Sequence, residues 1–320
     1  MDLPNLKKLH VSKDCDVLVF HDGLGVLKDL FLAGVFDRSI AVLTFSWFVS
    51  DDKMKNMARV LRDLEAEHGR DNVQRRLMMA LNSPDEFERA CTMLGEDVCL
   101  LMPNSVLLNP DQFYPAGEGE AKYDCVYNAR ANLFKRHYLT TKIDDKIFVA
   151  YDWKFEDVDL NEFFPKKIFK NIQSTHIGSH LRLARTGLML SEEEGSCYAS
   201  LEYLLCGLPV VSTPSRGGRD IFYNKNNSII CDDTPDAVAE AVREANAKLR
   251  SGEFSSRDIH LDALSQLGKY RDDLLVGINK KLQALGTDKI SAVEFKEKLA
   301  STNKLWKYRN MRIKEISQLQ

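Results

Sequence analysis

The chain has no Cys-x-x-Cys pair, no long apolar run, no block of like charge and no internal repeat. Each absence excludes something. The seven cysteines (Cys15, Cys91, Cys99, Cys125, Cys197, Cys206, Cys231) are scattered and odd in number, which argues against a disulfide framework. Each reads as a small buried apolar residue rather than a metal ligand. The longest apolar stretch, Ser39 to Val49, is about half of a membrane span. Met1-Asp2-Leu3-Pro4-Asn5 lacks the basic-then-apolar profile of a signal peptide. With free thiols, this points to a reducing, cytoplasmic setting. A net charge of −3 gives no general attraction to nucleic acid.

What is present is alternation. A length of 320 residues suggests two domains. Short β-branched runs predict strands at Val17–Phe20, Ile40–Phe45, Leu77–Leu81 and Val98–Met102. Helical spacing predicts helices over Val26–Val35, Met54–Glu67 and Asp85–Leu94 between them. Asn109 to Glu120 holds two prolines and two glycines without periodicity, and reads as a linker. Strands then recur at Tyr123–Tyr127, Lys146–Tyr151, Thr186–Leu190, Pro209–Ser212 and Ser228–Cys231. Their intervening helices are expected over Lys135–Thr141, Ile177–Arg185, Tyr198–Cys206 and Pro235–Arg250. From Arg257 onward the pattern is helical. Such β-α-β alternation implies an α/β fold with parallel, doubly wound sheets. The domain limits expected are 1–115, 116–255 and a helical tail at 256–320.

The most informative segment is Leu188 to Asp220. An apolar strand is followed by Ser191 and three acids, then Gly195-Ser196-Cys197 leads into the helix from Tyr198. Gly207 is a natural C-cap, and Leu208-Pro209-Val210-Val211-Ser212 is the next strand. Ser215-Arg216-Gly217-Gly218 is a tight turn before a further short helix. Two strand ends and two helix N-termini therefore meet, where open parallel sheets bind ligands. Helix N-termini suit a diphosphate, and Gly195, Gly217 and Gly218 allow close backbone approach. Glu194 and Glu202 could take vicinal hydroxyls, roughly 12 Å apart along a helix. Taken alone, the spacing leaves open that Glu194 is a helix-dipole partner and Glu202 a solvated face residue.

Glu194-x7-Glu202, Gly207-x-Pro209-Val210-Val211 and Gly217-Gly218 together resemble the donor-site signature of family-4 retaining glycosyltransferases. The resemblance covers about two thirds of the chain, and is strongest from Pro103 to Ala247. It implies the GT-B fold, with two Rossmann-like sheets facing across a cleft and the first one abbreviated. It also implies that Glu194 lies near the donor sugar and Glu202 at the ribose. Arg130 and Lys135, after the strand Tyr123–Tyr127, match the family's diphosphate clamp, a role that would stabilise the leaving group. The Lys135-Arg136-His137 run could otherwise be a solvated helix start, and that reading is kept for Arg136 and His137. Asn104 and Ser105 match the family's interdomain junction. Turn chemistry explains them nearly as well.

Three departures stand out. The family's glycine-aromatic-glycine after the first glutamate is here Gly195-Ser196-Cys197, so donor-sugar identity is open. The family's histidine at the end of the strand Leu43-Thr44-Phe45 is here Ser46, and His21 after the preceding strand is a second cleft candidate. The opening β-α units have no counterpart.

The resemblance thus implies a retaining hexosyltransferase moving sugar from a UDP- or GDP-sugar to a glycan or lipid-linked acceptor in polysaccharide biosynthesis. No Asp-x-Asp stands at a strand end, so neither metal nor cofactor is expected. A non-catalytic nucleotide-sugar- or glycan-binding subunit is the alternative. Lys298, Lys304, Lys307, Arg309, Arg312 and Lys314, mixed with Trp306, Tyr308 and Met311, leave room for peripheral contact with the inner membrane face, although a solvated helix explains the run as well. A homo-oligomer is also open.

Overall fold

The computed structural model describes residues 6–10, 15–32, 34–117, 119–151 and 158–300. The basic-aromatic run beyond Ala300 lies outside them. The chain forms two compact units, Met1–Asn109 with Gly268–Gln320, and Pro110–Leu267. The division falls at the start of the expected linker, and the last stretch groups with the first unit.

The first unit contains β1 (Leu6–His10), β2 (Asp16–His21), α1 (Leu27–Leu32), β3 (Ser39–Thr44), α2 (Asp51–His68), α3 (Arg70–Arg76), β4 (Leu77–Leu81), α4 (Pro84–Leu94) and β5 (Cys99–Leu101). Its sheet has the order β1-β2-β3-β4-β5. Strands β2 to β5 are parallel, and β1 adds an antiparallel edge. Strands β3 and β4 are buried along their whole length. This is why they read as continuous apolar runs rather than alternating ones. Ser50 and Ser83 cap α2 and α4 by accepting from Lys53 N–H and Glu86 N–H.

The second unit contains β6 (Tyr123–Asn128), β7 (Lys146–Ala150), β8 (Lys167–Lys170), α5 (Ile177–Leu181), β9 (Ala184–Met189), α6 (Tyr198–Leu205), β10 (Val210–Ser212), β11 (Ser228–Ile230) and α7 (Pro235–Ser251). All its strand pairs are parallel, in the order β11-β10-β9-β6-β7-β8. The chain winds outward from β6 to β8, then returns to β9 and winds the other way. Its topological switch point lies between β6 and β9, where ligands bind in doubly wound sheets.

Helix α8 (Ser256–Ala284) runs through the division at Leu267, and α9 (Ala292–Ala300) follows. In the first unit, Arg271 of α8 donates to the carbonyls of Val106 and Leu108. Gly277, lacking a Cβ, admits Met78.

Two expected helices are corrected. Lys135–Thr141 is not helical. It is two 3-10 turns, Leu133–Lys135 and His137–Thr140, broken by Arg136 at φ 53°. Arg136 is held there by bonds to Leu190 O (2.5 Å), Thr213 Oγ1 (2.7 Å) and Asp233 (3.1 Å), which outweigh helix propensity. The segment after Gly218 is a run of turns, so one helix N-terminus, that of α6, stands at the site. The short strand β8, the edge strand β1 and helix α3 carried no sequence signal strong enough to be read.

Candidate functional site

The side chains at the β6/β9 switch point come from three places: the turn after β6, the loop after β9, and α6. Lys135 is buried in the turn after β6, with its carbonyl accepting from the Tyr127 hydroxyl at 2.6 Å. Its ammonium donates to Glu194 in the loop after β9, and both side chains are less than a tenth exposed. This is a buried ion pair, and removing either partner strands the other's charge. Glu202, on α6 and 1% exposed, accepts from Asn128 Nδ2 at 2.9 Å, at the end of β6. Asn128 N–H donates to the Tyr203 hydroxyl at 2.5 Å. Gly187 is what lets α6 sit this close, since a Cβ there would meet the Tyr203 ring at 2.4 Å. Glu202 is therefore a buried, oriented carboxylate and not a solvated face residue.

The glycine-rich turn is laced to the acidic loop. Arg216 N–H donates to Glu192 O (2.9 Å), Glu194 N–H to Arg216 O (3.1 Å) and Gly218 N–H to Gly195 O (2.8 Å). Gly217 has φ 96°, and a Cβ there would stand 1.8 Å from Glu194 O. Ser196 is buried. Cys197, the N-cap of α6, has φ 41° and ψ 107°, a backbone that side chains rarely adopt. It stands where the family's signature has its second glycine, so the backbone keeps a glycine-like conformation under a different residue. Burial, with Glu194's charge, pushes the Cys197 thiol up to about 11.

The structure thus brings Lys135, Glu194, Gly195, Ser196, Cys197, Glu202, Gly217 and Gly218 into one neighbourhood. Arg130 is half-buried two residues past β6. Asn104, Ser105, His21 and Ser46 belong to the first unit. Asn104 N–H donates to Asn82 Oδ1 and Asn104 Nδ2 to Phe45 O, both at 2.9 Å, joining the ends of β3 and β4. Ser105 is fully buried. His21 Nδ1 meets Thr44 Oγ1 at 2.9 Å, and burial lowers its pKa. Ser46 is exposed and bonded through N–H and hydroxyl to the Asp22 carboxylate.

Several residues escaped the sequence reading. Arg219 is fully buried, and its guanidinium binds Ser191 O, Thr213 O, Ser212 Oγ (2.8 Å) and Asp220 (2.8 Å). It ties the loops after β9 and β10 together. Arg136 and His137, read as solvated, are buried. An arginine after Gly-Gly looks like any surface turn, so nothing in the sequence marked Arg219. Asn128, a polar residue ending a buried strand at the switch point, was findable. Among the described residues, no group of three or more His, Cys, Asp or Glu is placed to hold a metal ion. Nor is any helix among them long and apolar enough to cross a membrane.

The N-terminus of α6, a buried lysine and an oriented carboxylate meet at a Rossmann-type switch point, the place where doubly wound sheets take their ligands. Residues 161–247 match the family model "Glycosyl transferases group 1". No curated protein matches the chain. Among solved structures, TarM from S. aureus, determined with fondaparinux, α-GlcNAc-glycerol and UDP, superposes with a TM-score of 0.59 at 12% identity. The match covers 82% of this chain and 55% of TarM, so the chain spans about half of that protein's length. HepE from Anabaena, determined with UDP, gives 0.58 at 14% identity, covering 84% and 78%. Sucrose-phosphate synthase from Thermosynechococcus elongatus gives 0.55 at 12%, covering 81% and 74%. The fold is that of the GT-B glycosyltransferases, and the resemblance read from the sequence stands.

Proposed function

We propose that the protein is a retaining, metal-independent hexosyltransferase that takes a UDP- or GDP-sugar as donor and a glycan or lipid-linked glycan as acceptor. The observation that carries this reading is the cluster of Lys135, Glu194, Glu202 and the laced Gly195/Gly217/Gly218 loops at the β6/β9 switch point. Each group has a chemical task. Glu202, oriented by Asn128, accepts from the ribose hydroxyls. Lys135 and Arg130 hold the diphosphate and neutralise the charge that grows as it leaves. Glu194 and the Gly217-Gly218 turn take the sugar. Glu194 engages the Lys135 ammonium, so a bound diphosphate would take that partner's place and free the carboxylate for sugar hydroxyls. The acceptor hydroxyl attacks on the face from which the diphosphate departs, and a diphosphate oxygen takes its proton, so no protein nucleophile is required.

Thermal stability against UDP, GDP, ADP, CMP and their sugars tests the reading, with Glu202→Ala alongside. A ligand at 100 times its dissociation constant stabilises by about 2.7 kcal/mol. The expected result is one nucleotide whose shift Glu202→Ala abolishes, followed by sugar transfer without added metal. No shift with any nucleotide refutes donor binding. Strict dependence on manganese refutes the metal-free mechanism.

A non-catalytic donor-binding subunit is the second reading. It is favoured by Ser46, which stands where the family's histidine is expected and is engaged by Asp22. Nucleotide binding with no hydrolysis or transfer from any donor would select it.

A further inference from the structure

We propose that a groove in the first unit, between α3, the turn before β5 and the end of α8, binds a small phosphate-class oxyanion, either inorganic phosphate or a phosphomonoester, through Lys281 and Arg75. The groove has a volume of about 230 Å³, and Asp71, Gln74, Arg75, Asp97, Lys280 and Lys281 line it. Pockets for drug-sized ligands run to roughly 300–1,000 Å³, so its occupant is smaller.

Lys281 is the group that calls for a ligand. It stands in the last turn of α8 and is only 8% exposed. Its ammonium donates to Asp97 O at 2.5 Å and to Gln74 O. Gln74 lies in the last turn of α3, where helix carbonyls lack intrahelical partners, so one task of this lysine is to cap that helix. An ammonium has three N–H donors, however, and the two carbonyls take only two. Both carbonyls are neutral. Among the described residues no carboxylate forms an ion pair with Lys281, and the Asp97 carboxylate pairs instead with Lys280, at 3.4 Å. Lysine is rarely buried without an anionic partner, and a buried charge left uncompensated is costly. Burial accordingly lowers the Lys281 pKa to about 8, even with the Asp97 charge opposing the shift. One anion in the groove meets both the third N–H and the missing negative charge.

The rest of the lining narrows the class. Arg75, in the last turn of α3, is exposed and makes no ion pair among the described residues. A guanidinium offers a planar fork for two oxygens of one phosphate, and an ammonium serves the same group as a point charge. A phosphate has oxygens enough for both cations at once. Asp71 and Asp97 oppose a large polyanion, but a carboxylate accepts from a hydroxyl. An ester that carries hydroxyls, such as glycerol phosphate, therefore suits the mixed lining. Every residue involved belongs to the first unit, so the site stands independently of the donor-site reading.

Titration calorimetry of the full chain with inorganic phosphate, glycerol 3-phosphate and acetate, at constant ionic strength in a zwitterionic buffer, tests the site. Both phosphate compounds should bind, and acetate should not. Tighter binding of glycerol 3-phosphate identifies an ester as the occupant, whereas equal or weaker binding identifies free phosphate. Arg75→Ala should weaken phosphate binding roughly tenfold, the loss of one charge-assisted contact. Lys281→Met should abolish it. Because Arg75 is exposed, its variant remains measurable where Lys281→Met fails to fold. Binding of neither phosphate compound, or acetate binding as tightly, overturns the proposal. So does phosphate binding that Arg75→Ala leaves unchanged, because the anion then sits elsewhere on the chain.

Discussion

Gly217 and Gly252 form a matched pair that separates backbone strain from collision. Both have positive φ, 96° and 79°. A Cβ on Gly252, at the C-cap of α7, meets nothing within 4 Å, whereas one on Gly217 stands 1.8 Å from Glu194 O. Alanine at either position costs roughly 1–2 kcal/mol in a left-handed backbone. The narrower unfolded ensemble returns about 0.4–1 kcal/mol. At 252 that is the whole effect, about 1 kcal/mol net. At 217 the Glu194 carbonyl must also recede by 1.2 Å (3.0 minus 1.8) to reach even the tightest contact that real Cβ atoms show. That movement carries the Glu194 N–H to Arg216 O bond, now 3.1 Å, and the Gly218 N–H to Gly195 O bond, now 2.8 Å, beyond useful length. At about 1 kcal/mol each, their loss brings the total to about 3 kcal/mol.

Calorimetric melting and nucleotide titration measure both consequences. Gly252→Ala should melt about 2–4 °C below wild type and bind nucleotide normally. Gly217→Ala should melt roughly 6–12 °C lower. It should also bind a nucleotide-sugar about tenfold more weakly, because Glu194 is pushed away from the Gly217-Gly218 turn with which it would hold the sugar. If the two variants behave alike in both measurements, Gly217 is not the clamp on Glu194 that the geometry describes.

Other consequences can be checked independently. His137 packs among Tyr127, Phe148 and Phe163 with neither ring nitrogen hydrogen-bonded, and burial pushes its pKa down to about 3. The unfolded chain takes up a proton first as pH falls, so this stability is complete above about pH 6.5 and is lost between there and about 3. The loss is about 2 kcal/mol by pH 5. Urea unfolding of His137→Phe should show a weaker fall in stability from pH 7 to 5, and an unchanged pH dependence would refute the assignment. Lys135→Met should lose about 3–5 kcal/mol by stranding Glu194, and the double variant with Glu194→Leu should regain most of it. A double variant no more stable than the single one would mean that the pair is not coupled. Cys197→Gly should be neutral or stabilising by about 1 kcal/mol, since it relieves a strained φ, whereas Cys197→Val should lower the melting temperature sharply. The reverse order would mean that the Cys197 side chain, not its backbone, shapes the loop.

The parts of this fold that were legible in the sequence are those where one residue type answers to one physical demand. Strands β2, β3 and β4 are buried on both faces and announce themselves as unbroken apolar runs. Gly207, at φ 70°, marks a helix end that a side chain could not occupy, because its Cβ would meet Ser256 O at 2.5 Å. What was illegible depends on partners far away in the chain. Arg136 reads as a solvated cation until Leu190, Thr213 and Asp233 supply the acceptors that bury it, and the same bonds dissolve the helix its neighbours would otherwise form. Arg219 likewise looks like part of a surface turn, yet it closes the loops after β9 and β10 against each other. The signature residues lie within this arginine framework. Glu194 and Gly217 were singled out by their resemblance to a family signature, not by spacing alone. Their fixed relation, however, comes from residues that no signature singles out, so their positions in the chain were readable where the rigidity that holds them together was not.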